Sequence, residues 1–317
     1  VINTVKTRKQ LFDVLTVFAV SGALVCLYGV AQYIFGWDTS AAWVDEEMFS
    51  DIKMRVYSTL ENPNVLGEYI LLVLPVCIGL VWQKPKKLAK LVYIAMAGIM
   101  FATLILTFSR GCWIGFMITA GLFVTFVCGK IWGLALIALP FLPMVLPESI
   151  INRIASVGDM KDSSTSYRVY IWYGSLAMVK DFWASGIGPG TQAFKSVYPF
   201  YSYSGIVAPH SHNMFLQILV ESGIVGIGVF LTTIVMFFKK LINGYQSTSG
   251  KGSKLGAMIV AIGAGVAGFC VQGMFDNCFY NYRVFLIFWI VLALGIAAVY
   301  IAKGEKEESA VKAVEEE

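Results

Sequence analysis

The chain has 317 residues, 57% of them apolar and 14% charged, with a formal net charge of +4. A soluble domain carries about 25% charged residues, so a water-soluble globule is excluded, and no nucleic-acid partner is expected from a net charge whose placement matters more than its sum. Six cysteines without a CxxC or a Cys/His ligand spacing argue against a disulfide framework and a structural zinc site.

Apolar runs predict helices over 14–35, 66–82, 88–106, 112–127, 131–146, 214–238, 255–274 and 284–301. A bilayer crossing takes roughly 17–25 such residues, so the expected fold is all-α: one polytopic transmembrane bundle, 1–317, of about eight spans. Pro140, Pro143 and Pro147 should kink the fifth. Lys6, Arg8 and Lys9 precede the first span, Lys84, Lys86, Lys87 and Lys90 follow the second, Lys130 the fourth, and Lys239, Lys240, Lys251 and Lys254 the sixth. By the positive-inside rule these alternating connections are cytoplasmic. The tail 303–317 is then also inside and expected to be disordered. The first apolar run is too long for a signal-peptide core, and a chain that starts at Val1 is expected to lack part of its N-terminus.

The opposite connections differ in kind. Residues 38–64 are acidic, and 148–211 form one large extracytoplasmic loop expected to contain short helices. Five of the six arginines, Arg55, Arg110, Arg153, Arg168 and Arg283, fall on this side. Arginine, unlike lysine, offers a planar fork for phosphate or carboxylate. Within the loop, 167–182 predicts a helix carrying Arg168, Trp172 and Ser175 on neighbouring turns. Gly186-Ile187-Gly188-Pro189-Gly190 breaks it, as a plain turn or an anion-binding nest. Tyr198, Phe200, Tyr201 and Tyr203 follow, suited to an interfacial belt or to stacking on sugars.

Both histidines, His210 and His212, stand where the loop meets the sixth span. Asn213, Gln217 and Glu221 recur every four residues below them and form one polar stripe on a helix. A histidine here serves either as a helix cap or as a general base near neutral pH. Ser109-Arg110-Gly111 interrupts two spans' worth of apolar sequence and reads as a tight outer hairpin. Its arginine either snorkels or meets a lipid headgroup. Glu68 needs a partner inside the bilayer, Arg110 or Arg283 being the candidates, and Asp276 is expected to pair with Arg283. Asp159 and Asp162 read as solvated rather than as a metal pair, and Arg153 as close to a solvated charge.

These residues resemble the O-antigen ligase and polymerase superfamily of membrane glycosyltransferases. Its ligase motif is a histidine followed by Asn, Ser or Gln, nine residues, then Gly-x-x-Gly. Here His212-Asn213 is followed by nine residues and Gly223-Ile224-Val225-Gly226, with Ile227 where a small residue is usual. Ser109-Arg110-Gly111, Tyr167-Arg168 with Trp172, Gly186 to Gly190, and Glu61-Asn62-Pro63-Asn64 also look like family features. The resemblance implies a donor glycan on undecaprenyl diphosphate and a glycan or lipid-glycan acceptor. It implies a bacterial cytoplasmic (inner) membrane location, with the site facing outward. Arg110 and Arg168 would hold the diphosphate and His212 would be the base, with neither metal nor other cofactor. Arg283, His210, Asn213, Glu221, Trp172 and Arg153 would line the substrate, and Tyr170 would border lipid or glycan. It also implies four further spans ahead of Val1. Ligase and polymerase stay open, and the alternative is a transporter or flippase of lipid-linked glycans. A transporter would place its polar groups at the midplane, whereas here they gather at the outer rim.

Overall fold

Hydrocarbon leaves no partner for a backbone amide, so a spanning chain must close its hydrogen bonds within helices. The computed structural model describes residues 1–37, 52, 54–83, 86–138, 147–248 and 253–315, and among these it is helical with no strand. The helices are α1 (Arg8–Phe35), α2 (Pro63–Val81), α3 (Lys87–Leu106), α4 (Arg110–Val127), α5 (Ile131–Ala138), α6 (Glu148–Ala155), α7 (Ser163–Phe182), α8 (Thr191–Val197), α9 (Met214–Ser247), α10 (Lys254–Gln272) and α11 (Tyr282–Glu315). Seven of them (α1, α2, α3, α4, α9, α10 and α11) are long and apolar enough to cross a membrane.

α2 and α10 form the centre of the bundle and are buried along most of their length. α10 is rich in Gly and Ala, which lets α4 approach closely: Thr119 Oγ1 on α4 donates to the Ala264 carbonyl at 3.0 Å. α1, α3, α9 and α11 surround this pair and turn apolar side chains such as Val17, Leu24, Leu91, Val229 and Leu286 outward, as lipid-facing surfaces require. At one end of the bundle Arg8 pairs with Glu305 at 3.6 Å and Lys240 lies over the Tyr300 ring. The first turns of α2 and α4 and the last turn of α10 lie at the other end.

The expected spans are found with shifted ends, except the fifth. α5 covers Ile131–Ala138, and the remainder of that segment, with Pro140 and Pro143, lies outside the described residues. Its flanks are at opposite ends of the bundle: α4 runs away from Arg110, while Ser156, after α6, is bonded to Arg110. The tail differs from expectation. α11 continues to Glu315, because the Ala, Glu and Lys of this segment are strong helix formers, so it is not a coil after Lys303.

The large loop between α5 and α9 has its own apolar core of Ile171, Met178, Phe194, Tyr198, Ala208 and Val220. Outside the bilayer such burial stabilises by about 2 kcal/mol per large side chain. Val220 belongs to α9, so the loop is seated on that helix.

The seat is a break in α9. Gly223 has φ 63° and ψ −167°, outside the helical region, so the Ile224 amide donates to the Trp183 carbonyl at 2.8 Å instead of within the helix. The carbonyls this leaves free, Val220 and Glu221, accept from Ile187 at 2.9 Å and Gly188 at 3.0 Å. The amides of Gly186, Ile187 and Gly188 are thus used inside the protein rather than for an anion. A Cβ on Gly223 would collide with the Ala184 carbonyl, and one on Gly186 with that of Glu221. Gly223→Ala should therefore destabilise by on the order of 2–3 kcal/mol, seen as a lowered melting temperature in detergent, whereas Gly228→Ala, with open space around it, should not.

Candidate functional site

A helix N-terminus carries partial positive charge, so an arginine in the first turn is out of place unless an acid answers it. Arg110 opens α4, which has no acid in its first turn. The preceding Phe108 takes φ 49°, turning the chain sharply into the helix. The answering acid is Asp162: Arg110 NH1 reaches its Oδ2 at 2.6 Å. The same guanidinium donates to the Ser156 carbonyl and hydroxyl at 2.9 and 2.7 Å, and NH2 donates to Ser164 at 2.7 Å. Arg153 lies 3.6 Å from the same oxygen. The other oxygen of Asp162 accepts from the Ser164 and Thr165 amides at 2.9 and 3.1 Å and so caps α7. Burial alone would raise this carboxyl; the hydrogen bonds from Arg110 and Ser164 and the charges of Arg110 and Arg153 outweigh it and hold it at about 2.

Above this anchor, Arg55, Arg110, Arg153 and Arg168 wall a cavity of about 50 Å³ together with Asn64, Ser164 and Gln272. Arg168 comes from the second turn of α7, which Asp162 caps. Its NH2 is 3.9 Å from Asp276 Oδ2, and its buried Nε has no hydrogen-bond partner among the described residues. Gln272 Oε1 on the same wall is likewise unpartnered. Two buried polar atoms left open on one cavity indicate a place for a ligand.

His212 stands beside the cavity. It has φ 48°, a left-handed conformation that places its ring toward the turn after α10, where Nδ1 meets Asp276 Oδ1 at 2.9 Å. Asp276 also accepts from Asn64 Nδ2 at 3.0 Å and from the Asn277 amide at 2.9 Å. Burial would raise its carboxyl, but the charge and hydrogen bond of His212 and the charge of Arg168 hold it well below the usual carboxylate range. Trp172 Nε1 donates to the His212 carbonyl at 3.3 Å, and Tyr167 meets the imidazole edge-on. His210 lies against His212 with ring centres 4.1 Å apart and accepts the His212 amide at Nδ1. Burial, then the charges of His212 and Arg168, push His210 down to about 3, so it is neutral near neutral pH.

His210, His212 and Asp276 offer ligand atoms within 4.8 Å of one another, close enough for a metal ion. Their present bonds run as a chain, amide to His210 and His212 to Asp276, with the Arg168 cation beside the acid.

Several expectations change. Arg153 and Asp162 are buried and face each other, not solvated. Asp276 pairs with His212 and Arg168; Arg283 is exposed, outside the cavity, and donates to the Thr59 carbonyl at 3.1 Å. Glu68 takes Gln272 Nε2 at 3.2 Å rather than an arginine. Asn213 caps α9 through the Leu216 amide. Glu221 is bonded to Gln217 at 2.8 Å, whose Oε1 in turn takes the Ser211 amide; the stripe braces the histidine loop and does not line the cavity. Asp162, Asp276 and Asn64 are parts of the site that the sequence reading missed. The only local signal for Asp276 is an acid between two apolar helices, next to Phe275 and Asn277.

If Asp162 holds two guanidiniums and a helix cap, Asp162→Asn should destabilise the outer loop by about 3 kcal/mol, seen as earlier cleavage in limited proteolysis. Because its carboxyl is held below its unfolded value, its contribution is complete above about pH 4 and is lost as pH falls toward 2. Wild-type loop protection should fade over that window and be absent at all pH in the variant.

No curated protein matches the chain. Residues 95–231 match the family model described as O-antigen ligase, a stretch that takes in Arg110, Arg153, Arg168 and both histidines. The match covers less than half of the chain; with the seven apolar helices among the described residues, it makes this stretch similar to the O-antigen ligase superfamily of membrane proteins.

Proposed function

We propose that the protein is a membrane glycosyltransferase, ligase or polymerase, acting on undecaprenyl-diphosphate-linked oligosaccharide at the outer face of the bacterial cytoplasmic membrane. The observation that carries this reading is the His212–Asp276 pair at 2.9 Å beside a cavity walled by arginines. Nδ1–H donates to Asp276, which leaves Nε2 to take the proton of the acceptor hydroxyl. The hydroxyl oxygen bonds to the anomeric carbon as the bond from that carbon to the diphosphate oxygen breaks. The electron pair leaves with undecaprenyl diphosphate, and fixed guanidinium groups meet its charge. Arg168, with an open Nε, is the direct ligand. Arg110 and Arg153, committed to Asp162, supply charge and rigidity. This scheme needs no metal.

The lipid chain of the substrate fits an open apolar groove of about 520 Å³ that starts at Trp172 and Asn213 and follows Leu216, Leu219, Ile227 and Leu231 along α9. Most of the cavity's side chains come from helix ends and the outer loop rather than the middle of the bundle, which supports an enzyme over a transporter.

His212→Ala should abolish release of undecaprenyl diphosphate from a synthetic lipid-linked oligosaccharide. Asp276→Asn should lower kcat by on the order of 10²–10⁴, more than it raises the donor KM. Release by wild type should persist in EDTA; loss in EDTA with recovery on adding a divalent ion would turn His210, His212 and Asp276 into ligands and overturn the base assignment. Arg168→Lys should bind donor poorly, because a point charge replaces a fork.

A further inference from the structure

Two features singled out by sequence have no part in this scheme: Arg55, ahead of α2, and the Glu61-Asn62-Pro63-Asn64 motif. Both lie outside the stretch that matches the family model, yet both reach the cavity. Asn62 does the capping of α2, accepting from the Asn64 amide at 2.8 Å, and Pro63 occupies the first helical position, where a missing N–H costs nothing. The side chain of Asn64 is therefore free of capping duty. Its two ends are used separately: Oδ1 accepts from Arg55 NH2 at 2.7 Å, and Nδ2 donates to Asp276 Oδ2 at 3.0 Å. Arg55 is fixed a second time, Nε donating to the Thr107 carbonyl at 2.8 Å, three residues before Arg110. One unbroken chain of contacts thus runs Thr107, Arg55, Asn64, Asp276, His212.

We infer that Arg55 is a further guanidinium ligand of the leaving diphosphate, and that Asn64 is a positioning residue holding it in register with the Asp276–His212 pair. The inference rests on the reading of the arginine cavity as the diphosphate seat. A planar guanidinium held at two of its nitrogens is oriented before the ligand arrives, so little ordering is left for binding. Burial, followed by the charges of Arg153, Arg168 and Arg110, depresses Arg55 to about 9, a crowding of like charge that a diphosphate would relieve. The amide of Asn64 suits its place because it must accept on one side and donate on the other. A carboxylate of the same shape keeps the first bond and sets a like charge against Asp276.

The test measures inorganic pyrophosphate binding by calorimetry, and turnover of the lipid-linked donor, on the whole protein in detergent with melting temperatures alongside. Arg55→Ala and Arg55→Lys should each weaken pyrophosphate binding by about tenfold to a hundredfold. Asn64→Asp should lower kcat at least about tenfold while changing pyrophosphate affinity much less. A merely structural Arg55 would lower the melting temperature and leave affinity alone; where Arg55→Ala melts early, Arg55→Lys decides. Wild-type affinity in Arg55→Lys together with lost affinity in Arg168→Ala would remove Arg55 from the seat and leave the seat intact. Wild-type kcat in Asn64→Asp would remove Asn64. Absence of pyrophosphate binding by the wild-type protein, with normal turnover by Arg168→Ala, would remove the seat itself and this inference with it.

Discussion

One carboxylate organises the arginine-rich end of the bundle. Asp162 caps the helix that carries Arg168, neutralises an arginine placed at the positive end of α4, and holds Arg153 against both. Guanidinium groups repel one another and prefer water, so gathering four of them around one small cavity requires a fixed counter-charge from the protein. Asp162 supplies it from inside a hydrogen-bonded cap, where it is less free to move than an acid on an open loop. The cost of burying such a pair is large, and breaking one is worse than never having made it. The loop, α4 and α7 therefore stand or fall together.

The second acid has a different task. Asp276 sits among donors of three kinds, an imidazole, a side-chain amide and a backbone amide, with a guanidinium 3.9 Å away. Each fixes a direction, so the imidazole beside it has one orientation and one tautomer. Asp162 sets where the positive charge is, and Asp276 sets where the imidazole points. Arg168 connects the two acids, tied to one through its helix and to the other through its guanidinium.

Much of this was legible in the sequence where the signal is local. A helix bearing Arg168 and Trp172, a histidine at the start of a long apolar helix, and five of the six arginines gathered on one side all follow from spacing and patterning. What escaped were pairings across the chain. Asp162 is 52 residues from Arg110, Asp276 is 64 from His212 and 212 from Asn64. Nothing in a linear reading distinguishes a buried acid with a distant partner from a solvated one, so in sequence Asp162 looks solvated and Asp276 looks paired with the nearest arginine. Glu221 misled for the opposite reason: the four-residue period was real, but its carboxylate serves Gln217 and, through it, the loop that holds the histidines. Glycines at 186 and 223 were visible as a motif, while their purpose, two backbones crossing at van der Waals contact, needed three dimensions.

That crossing has a mechanical consequence. A continuous helix transmits tilt along its whole length through its ladder of amide bonds, but in α9 the ladder is interrupted at Gly223 and its free groups are bonded to the outer loop. The lower segment, from Ile224 onward, faces the lipid with exposed apolar side chains and must follow changes in bilayer thickness. The upper segment is clamped to the loop and bears the histidine. A helix broken in this way can bend below the joint without carrying the bend through an amide ladder into the segment that follows the histidines.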